Sequence, residues 1–426
     1  MNRPEASVET YVDSPDYLKH VTALGDSRAV TATEDIYSRS AVKVVASGYR
    51  VNSLLLDKLL RHKLLKPIEQ SCLIEAAVDK TTLIERANEL LEEMPALKEL
   101  LIRYRGEEFV LACFGRMILP TAIRNKLTVL ASQSPQLMDH SLWCVMACVF
   151  LGQEIELGEG ELRNLAIAAL LHDIGQLHTD HRILDPREKL DPALRRQLQS
   201  HPLIGSSIIS NLPDYDSSVA QAIGEHHERM DGSGYPHGLL GSEISRCGRI
   251  LSFVEMSLGI VRSAGPAHLA NVIKTYAHQF DRTITRAFWK HLDLDYLGND
   301  YPFDTSEIPD MLKSLSEALD GWHTVSDTVS APVWRLIDRD VSAINHAMIK
   351  AGVDQTLVEE LAASSDRDTL AHREVCSILR EGLRQIRESV DWLKNAAPVD
   401  TVMQRDEAAL AWLEQVGKVL FPGSPN

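Results

Sequence analysis

The sequence predicts an all-α protein, and three observations carry that prediction. Apolar residues recur at helical spacing, as in NSLLLDKLLRHKLL (52–65) and LRNLAIAALLHDIG (162–175). The last third holds amphipathic stretches charged on one face, such as HREVCSILREGLRQIRESVDWLKNA (372–396). Against these stands one short β-branched segment, AVKVVASGYRV (41–51), which reads as a strand pair or as a turn leading into a helix.

Taken in order, residues 1–35 are polar and aperiodic and are expected to form a loose arm. The helix over 52–65 has Asn52 or Ser53 as its N-cap. Helical patterning resumes from 68 to 125, so 1–125 reads as a small, mainly helical domain of regulatory type. Residues 126–295 form a series of helices that carries most of the histidines. Eight of the sixteen lie between His140 and His237. A break rich in Pro and Asp, GNDYPFDTSEIPD, follows, and 296–426 is helical again, suited to a bundle or to dimerisation.

A chain of 426 residues with 44% hydrophobic content can fill two or three cores. No run of eighteen apolar residues occurs, so no membrane insertion is expected. The N-terminus lacks the basic and apolar regions of a signal peptide, and a cytoplasmic location follows as an expectation. A net charge of -16 argues against DNA or other broad nucleic-acid binding. An anionic substrate would need its charge met locally, and bound cations are one way to meet it. Cys72, Cys113, Cys144, Cys148, Cys247 and Cys376 are scattered through apolar patterns and read as buried free thiols.

The chemistry sits in the histidine-rich segment. The apolar helix 162–175 ends in His172 and Asp173, and an Asp is almost never buried without a partner or a metal. Alone, the pair reads equally well as a core histidine beside a capping aspartate. AIGEHHERMDGSGYP (222–236) places His226 and His227 side by side. Adjacent helical residues point about 100° apart, so both reach one site only near the helix axis or if the site holds two ions. His201 precedes Pro202, which would start a helix with His201 at its cap. His140 opens the apolar helix HSLWCVMACVFLG, with Cys144 and Cys148 on its face as core packing. Glu255 stands alone in RILSFVEMSLG and must be paired, ligating or exposed. Five histidines and two carboxylates, one or two per helix, match how dimetal sites are built in bundle cores.

These residues resemble the HD-GYP phosphodiesterases, a branch of the HD-domain metal phosphohydrolases. The motifs are HDIG (172–175), HP…G (201–205), HHERMDGSGYP (226–236) and GRIL (248–251), within about 126–295. The resemblance implies an HD-type helical bundle with two or three ions, iron or manganese, that hydrolyses cyclic di-GMP to pGpG or GMP in bacterial signalling. By position it implies the ligands His140, His172, Asp173, His201, His226, His227 and Glu255, with Asp173 bridging two ions and activating the attack. Gln176 stands where the family carries a catalytic lysine. Gln176, Gly232, Gly234, Tyr235, Pro236 and His237 would meet the substrate.

Several positions depart from the family pattern. Gln176 donates a hydrogen bond but brings no charge. Glu255 replaces the usual Asp. Gln136 stands where three-metal members have a Glu, which favours two ions. After the GYP motif, His237, Gly238, Leu239 and Leu240 replace basic residues. The alternative implied is a metal-holding module of low turnover that acts as a cyclic di-GMP effector or contacts GGDEF-type or other regulators. Hydrolysis of another phosphate ester is a third reading.

Overall fold

The computed structural model describes residues 14–93, 108–185, 191–264, 279–291 and 308–325, with scattered residues between and beyond. The described residues fall into two compact units. One comprises 1–258 and 278–290, the other 259–277 and 291–426. The first is mainly helical, with two small antiparallel sheets near its N-terminus.

The expected loose arm is structured from residue 14 onward. Helix α1 (Pro15–Ser27) has Pro15 in its first turn, and the Ser14 side chain accepts from the Tyr17 amide. Tyr17, Leu18, Val21 and Leu24 are buried, a stripe that the surrounding polar residues obscure in the sequence. Strand β1 (Val30–Ala32) follows, then β2 (Ile36–Tyr37) and β3 (Lys43–Val45). β2 pairs antiparallel with β3, so the β-branched stretch is half of a strand pair whose partner lies upstream.

The helix expected over 52–65 is shorter. Asn52 caps a 3-10 turn at Ser53–Leu55, and α2 (Leu56–Leu60) then stops. Beyond it the backbone pairs back on β2: the Arg39 amide donates to Lys63 and the Leu65 amide to Tyr37. Tertiary strand pairing overrides the helical spacing here. Strand β4 (Cys72–Ile74) closes on β1 in the register Val30↔Ile74 and Ala32↔Cys72.

Helices α3 (Lys80–Glu92), α4 (Phe109–Phe114) and α5 (Thr121–Gln133) lead into the histidine-rich segment. There, α6 (Pro135–Glu154) lies along α7 (Glu159–Leu171). A 3-10 turn (Ile174–His178) follows α7. Next come α8 (Pro192–Leu198), α9 (His201–Ser210) and α10 (Ser217–Glu225). α10 packs on α7 and α9, and α9 packs on the 3-10 turn. Helix α11 (Arg246–Ala264) carries Glu255, and α12 (Arg282–Trp289) packs on α6. His201 is the first residue of α9 rather than its cap, which is Ser200.

The segment before residue 126 and the histidine-rich segment belong to the same compact unit. α1 packs on α5 and on the 3-10 turn. At this contact Lys126, fully buried, lies 2.8 Å from Glu69 Oε1 and donates to His178 Nε2 at 3.0 Å. Its ammonium also stands 3.7 Å from the Tyr17 ring centroid. A lysine only donates, so His178 carries its proton on Nδ1 and gives it to Ser14 Oγ, 3.2 Å away.

Burial, then Lys126 and His20, hold His178 well below its ordinary pKa of 6.5. Protonation therefore favours the unfolded chain. The stability from a neutral His178 is complete above about pH 6.5 and is lost as the pH falls below it. Between roughly pH 6 and 5 this residue should cost up to about 1.4 kcal/mol per pH unit. Denaturant midpoints across that range should become flatter in His178→Gln. An identical profile in the variant would refute the assignment.

In the second unit, α13 (Ile308–Val325) buries Trp322, whose Nε1 donates to Asp338 Oδ1 at 3.1 Å. Trp412 Nε1 donates to the Ala318 carbonyl at 3.0 Å. Most of the helices expected after 333 lie outside the described residues, as does Cys376. Among the described residues, no helix is long and apolar enough to cross a membrane.

Candidate metal centre

The seven residues singled out from the sequence converge. Five of them sit at helix ends and two, His140 and Glu255, within helices. His140 is in the second turn of α6, His172 caps α7 and Asp173 follows it. His201 opens α9, His226 caps α10 with His227 next, and Glu255 lies midway along α11. The adjacent histidines lie just where α10 ends, after Glu225, with their ring centroids 4.2 Å apart.

Three of the rings are held in one way. His172 Nδ1 donates to the Ala169 carbonyl at 2.8 Å, His201 Nδ1 to Leu198 at 2.5 Å, and His226 Nδ1 to Ile223 at 2.6 Å. Each acceptor lies three residues back, among carbonyls that a helix end leaves free. The proton is thereby fixed on Nδ1, and each Nε2 presents a lone pair to the centre.

Those lone pairs face groups that would repel them. His201 Nε2 and His226 Nε2 are 3.0 Å apart. His172 Nε2, fully buried and without a hydrogen-bond partner, stands 3.2 Å from Asp173 Oδ2 and 3.3 Å from Glu255 Oε2. Asp173 Oδ1 lies 3.1 Å from His201 Nε2. His140 differs, since its Nε2 makes a 2.6 Å hydrogen bond to Glu255 Oε2. Lone pairs and carboxylates packed this closely in a buried space require positive charge between them. The donors fall into three overlapping groups whose ligand atoms lie within 4.8 Å of one another: His140, Cys144, His172 and Glu255; His201, His226 and His227; and His172, Asp173 and His226. Imidazole and carboxylate suit divalent cations of the iron and manganese kind, and the residues fit such ions.

The electrostatics show the same demand for positive charge: burial lowers His172, but Asp173 and Glu255 outweigh it and raise it well above its ordinary value, so without a cation a proton takes the place between them. Burial would push Asp173 up, but His172 and His201 outweigh it and hold the carboxyl well below its usual range. Burial also raises Glu255, and His140 and His172 overcome it in the same direction. Both carboxylates stay ionised. Burial and its histidine neighbours hold His226 well below its ordinary value. Burial and His201 bring His227 down to about 3, so this ring is neutral and free to ligate. Burial, then Glu255, pushes the Cys144 thiol well up.

Two glycines explain motif positions. A Cβ on Gly175 would stand 2.1 Å from the His201 carbonyl oxygen and 2.8 Å from the Gly205 amide nitrogen. The glycine of HDIG therefore lets α9 bring His201 against Asp173. Gly175→Ala should cost about 1–3 kcal/mol from overpacking and should lower the metal bound per chain. Unchanged metal content in a destabilised variant would separate the glycine from the centre. Gly234 is equally confined, since its Cβ would lie 2.4 Å from the Arg229 nitrogen.

Of the residues expected at the substrate, Tyr235 and Gln176 touch the centre. Tyr235 stacks on His227 at 4.6 Å, and its amide donates to the His227 carbonyl. Gly232 has φ +76°, and Pro236 follows a cis bond. His237 is exposed. Gln176 is buried and donates to Asp173 Oδ1 at 2.6 Å. Two further contributors escaped the sequence reading. Glu228 is fully buried and accepts from the His237 and Leu239 amides at 2.6 and 2.9 Å, which pins the loop. Arg229 donates to Ser252 Oγ at 2.5 Å and so ties the loop to α11. The signal was a charged pair directly after two histidines, on the buried side of the turn.

Residues 126–271 match the family described as HD domain. The chain is 34% identical over 128 residues to 3'3'-cGAMP-specific phosphodiesterase 3 of Vibrio cholerae, across 30% of this chain and 28% of that protein. It is 28% identical over 166 residues to a cyclic di-GMP phosphodiesterase of Pseudomonas aeruginosa, across 37% of this chain and 40% of that protein. HDIG and the GYP loop stand at one centre within that match, so residues 126–271 form an HD domain similar to those of the HD-GYP phosphodiesterases. The chain thus spans well under half the length of these curated relatives. Among solved structures, an HDG"Y"P protein of Bdellovibrio bacteriovorus aligns with a TM-score of 0.34 at 17% identity, covering 51% of this chain and 70% of that one. The HD domain supplies every residue of the donor set, and its GYP loop places Tyr235 against His227.

Proposed function

We propose that this HD domain is a phosphodiesterase with two divalent cations that opens a cyclic dinucleotide, with cyclic di-GMP as the first substrate to test and pGpG or GMP as product. One observation carries the reading. Asp173 offers Oδ2 toward His172 and Oδ1 toward His201, so a single ionised carboxylate touches both halves of the donor set. His140, His172 and Glu255 would hold one cation, His201, His226 and His227 the other, and Asp173 both. When bound, such ions neutralise phosphate charge and activate water for attack on phosphorus.

The chain's own residues do the rest. The three carbonyl clamps orient the rings of His172, His201 and His226 and leave their Nε2 atoms free of a proton. Gln176 fixes one oxygen of Asp173. Burial keeps the Tyr235 phenol protonated, so it can donate to a phosphate oxygen beside His227. Glu228 holds the loop that carries Tyr235.

A second reading has its own observation. Gln176 brings no positive charge, and after Pro236 the loop presents His237 and Leu240 to solvent instead of a basic grip. These features favour a cyclic dinucleotide effector, or a module that contacts GGDEF-type regulators. Metal analysis with a hydrolysis time course separates the two. Protein loaded with Fe(II) or Mn(II) should bind close to two ions and turn over cyclic di-GMP or 3'3'-cGAMP. Two ions with tight binding and no product would favour the effector. Gln176→Lys should then raise turnover, by up to roughly a hundredfold if the missing charge is the defect.

A further inference from the structure

The cysteine four residues after His140 has an unexpected position. Cys144 is fully buried, with Sγ 3.5 Å from His140 Nε2 and 3.7 Å from Glu255 Oε2. Its sulfur belongs to the donor group that also holds His172, whose buried Nε2 has no hydrogen-bond partner. Helical geometry accounts for the placement, since residues four apart share a face and His140 and Cys144 both turn toward Glu255.

The spacing suits one ion. A five-coordinate cation with metal–nitrogen and metal–oxygen bonds of about 2.0–2.1 Å and a metal–sulfur bond of about 2.3 Å has neighbouring donor–donor edges of roughly 2.9–3.8 Å. The observed edges are 3.3 Å for His172 to Glu255, 3.5 Å for Cys144 to His140 and 3.7 Å for Cys144 to Glu255. The shorter 2.6 Å between His140 and Glu255 is a hydrogen bond, which a cation would replace. Simple core packing does not require the sulfur to take up this spacing. Cys148, one turn on, is as deeply buried and belongs to none of the donor groups found among the described residues.

We propose that Cys144 is a metal ligand, so that one of the two cation sites is His140, His172, Glu255, the shared Asp173 and a thiolate. The inference rests on the two-cation reading above and adds a sulfur donor to it. On binding, the Sγ–H bond breaks, the proton leaves to solvent and a metal–sulfur bond forms, with no change of oxidation state. A thiolate favours softer ions, so this site should prefer Fe(II), Co(II) or Zn(II) over Mn(II), while the site of His201, His226 and His227 lacks that bias.

Titration of the full-length apoprotein with Co(II) tests this without measuring turnover. The expected result is a sulfur-to-cobalt charge-transfer band as the ions bind. X-ray absorption should show a sulfur scatterer at about 2.3 Å. Cys144→Ser should remove the band and weaken one site at least about tenfold, and Cys148→Ser should leave both unchanged. Co(II) bound without the band and without a sulfur scatterer in the unaltered protein would overturn the thiolate and leave the two-cation reading standing. A band that survives in Cys144→Ser would overturn it as well. No Co(II) binding at all would remove the two-cation reading and the inference together. The measurements on the unaltered protein decide the matter even if a variant fails to fold.

Discussion

Asp173→Asn should abolish turnover of a cyclic dinucleotide, by at least about a thousandfold, and should lower the metal bound per chain. Removing one preorganised electrostatic group from an active centre typically costs 10²–10³ in rate, and Asp173 serves both halves of the donor set. Asn preserves volume and can still accept a hydrogen bond from Gln176, so the change is in charge. The carboxylate is the group that His172 and His201 hold ionised against burial. Without it, those rings lose the negative partner that balances a cation between them. Metal analysis should show a reduced content, and hydrolysis should fall below detection. Retention of two ions and of more than a tenth of the turnover would show that the centre does not depend on a shared carboxylate, and the two-cation proposal would fail.

How far this centre was legible follows from where its residues sit. His172 with Asp173, and His226 with His227, announce themselves because each pair terminates an apolar helix, where a polar residue needs a reason. Glu255 is visible as a lone charge in an apolar run. The carbonyl clamps were not visible, since they depend on where each helix ends to within one residue. The shared role of Asp173 came from the family likeness, and the geometry adds the two oxygens that point different ways. Cys144 was read as packing because thiols in apolar helices usually are. Only three-dimensional placement sets it beside Glu255.

The fold shows the same division. Long apolar helices such as α7 are legible from periodicity alone. α1 leaves little trace in the sequence because Lys19, Asp16 and Asp26 dominate its composition while four apolar residues do its packing. α2 is shorter than its helical spacing implies because that spacing competes with backbone pairing to β2, and pairing between distant segments leaves no periodic trace in either one.

The contact that joins α1 to the HDIG turn carries the second large effect. Lys126→Met should destabilise the protein by about 3–5 kcal/mol, read as a shift in denaturant midpoint. The loss of attraction is not the main reason. Lys126 and Glu69 are both buried, their side chains 2% and 6% exposed, and Glu69 Oε2 has no hydrogen-bond partner. Taking away the lysine strands a carboxylate where water does not reach, and that desolvated charge carries most of the cost. The paired variant Lys126→Met with Glu69→Leu tests this directly. It should recover most of the lost stability, because two apolar side chains of similar size can replace a buried ion pair at little cost. A single variant that costs less than about 1 kcal/mol would mean that water or another partner reaches Glu69 once the lysine is gone. If the paired variant is no better than the single one, the ammonium itself is what matters, through Tyr17 and His178. In that case metal content should fall with stability, because His178 ends the turn that begins just after Asp173.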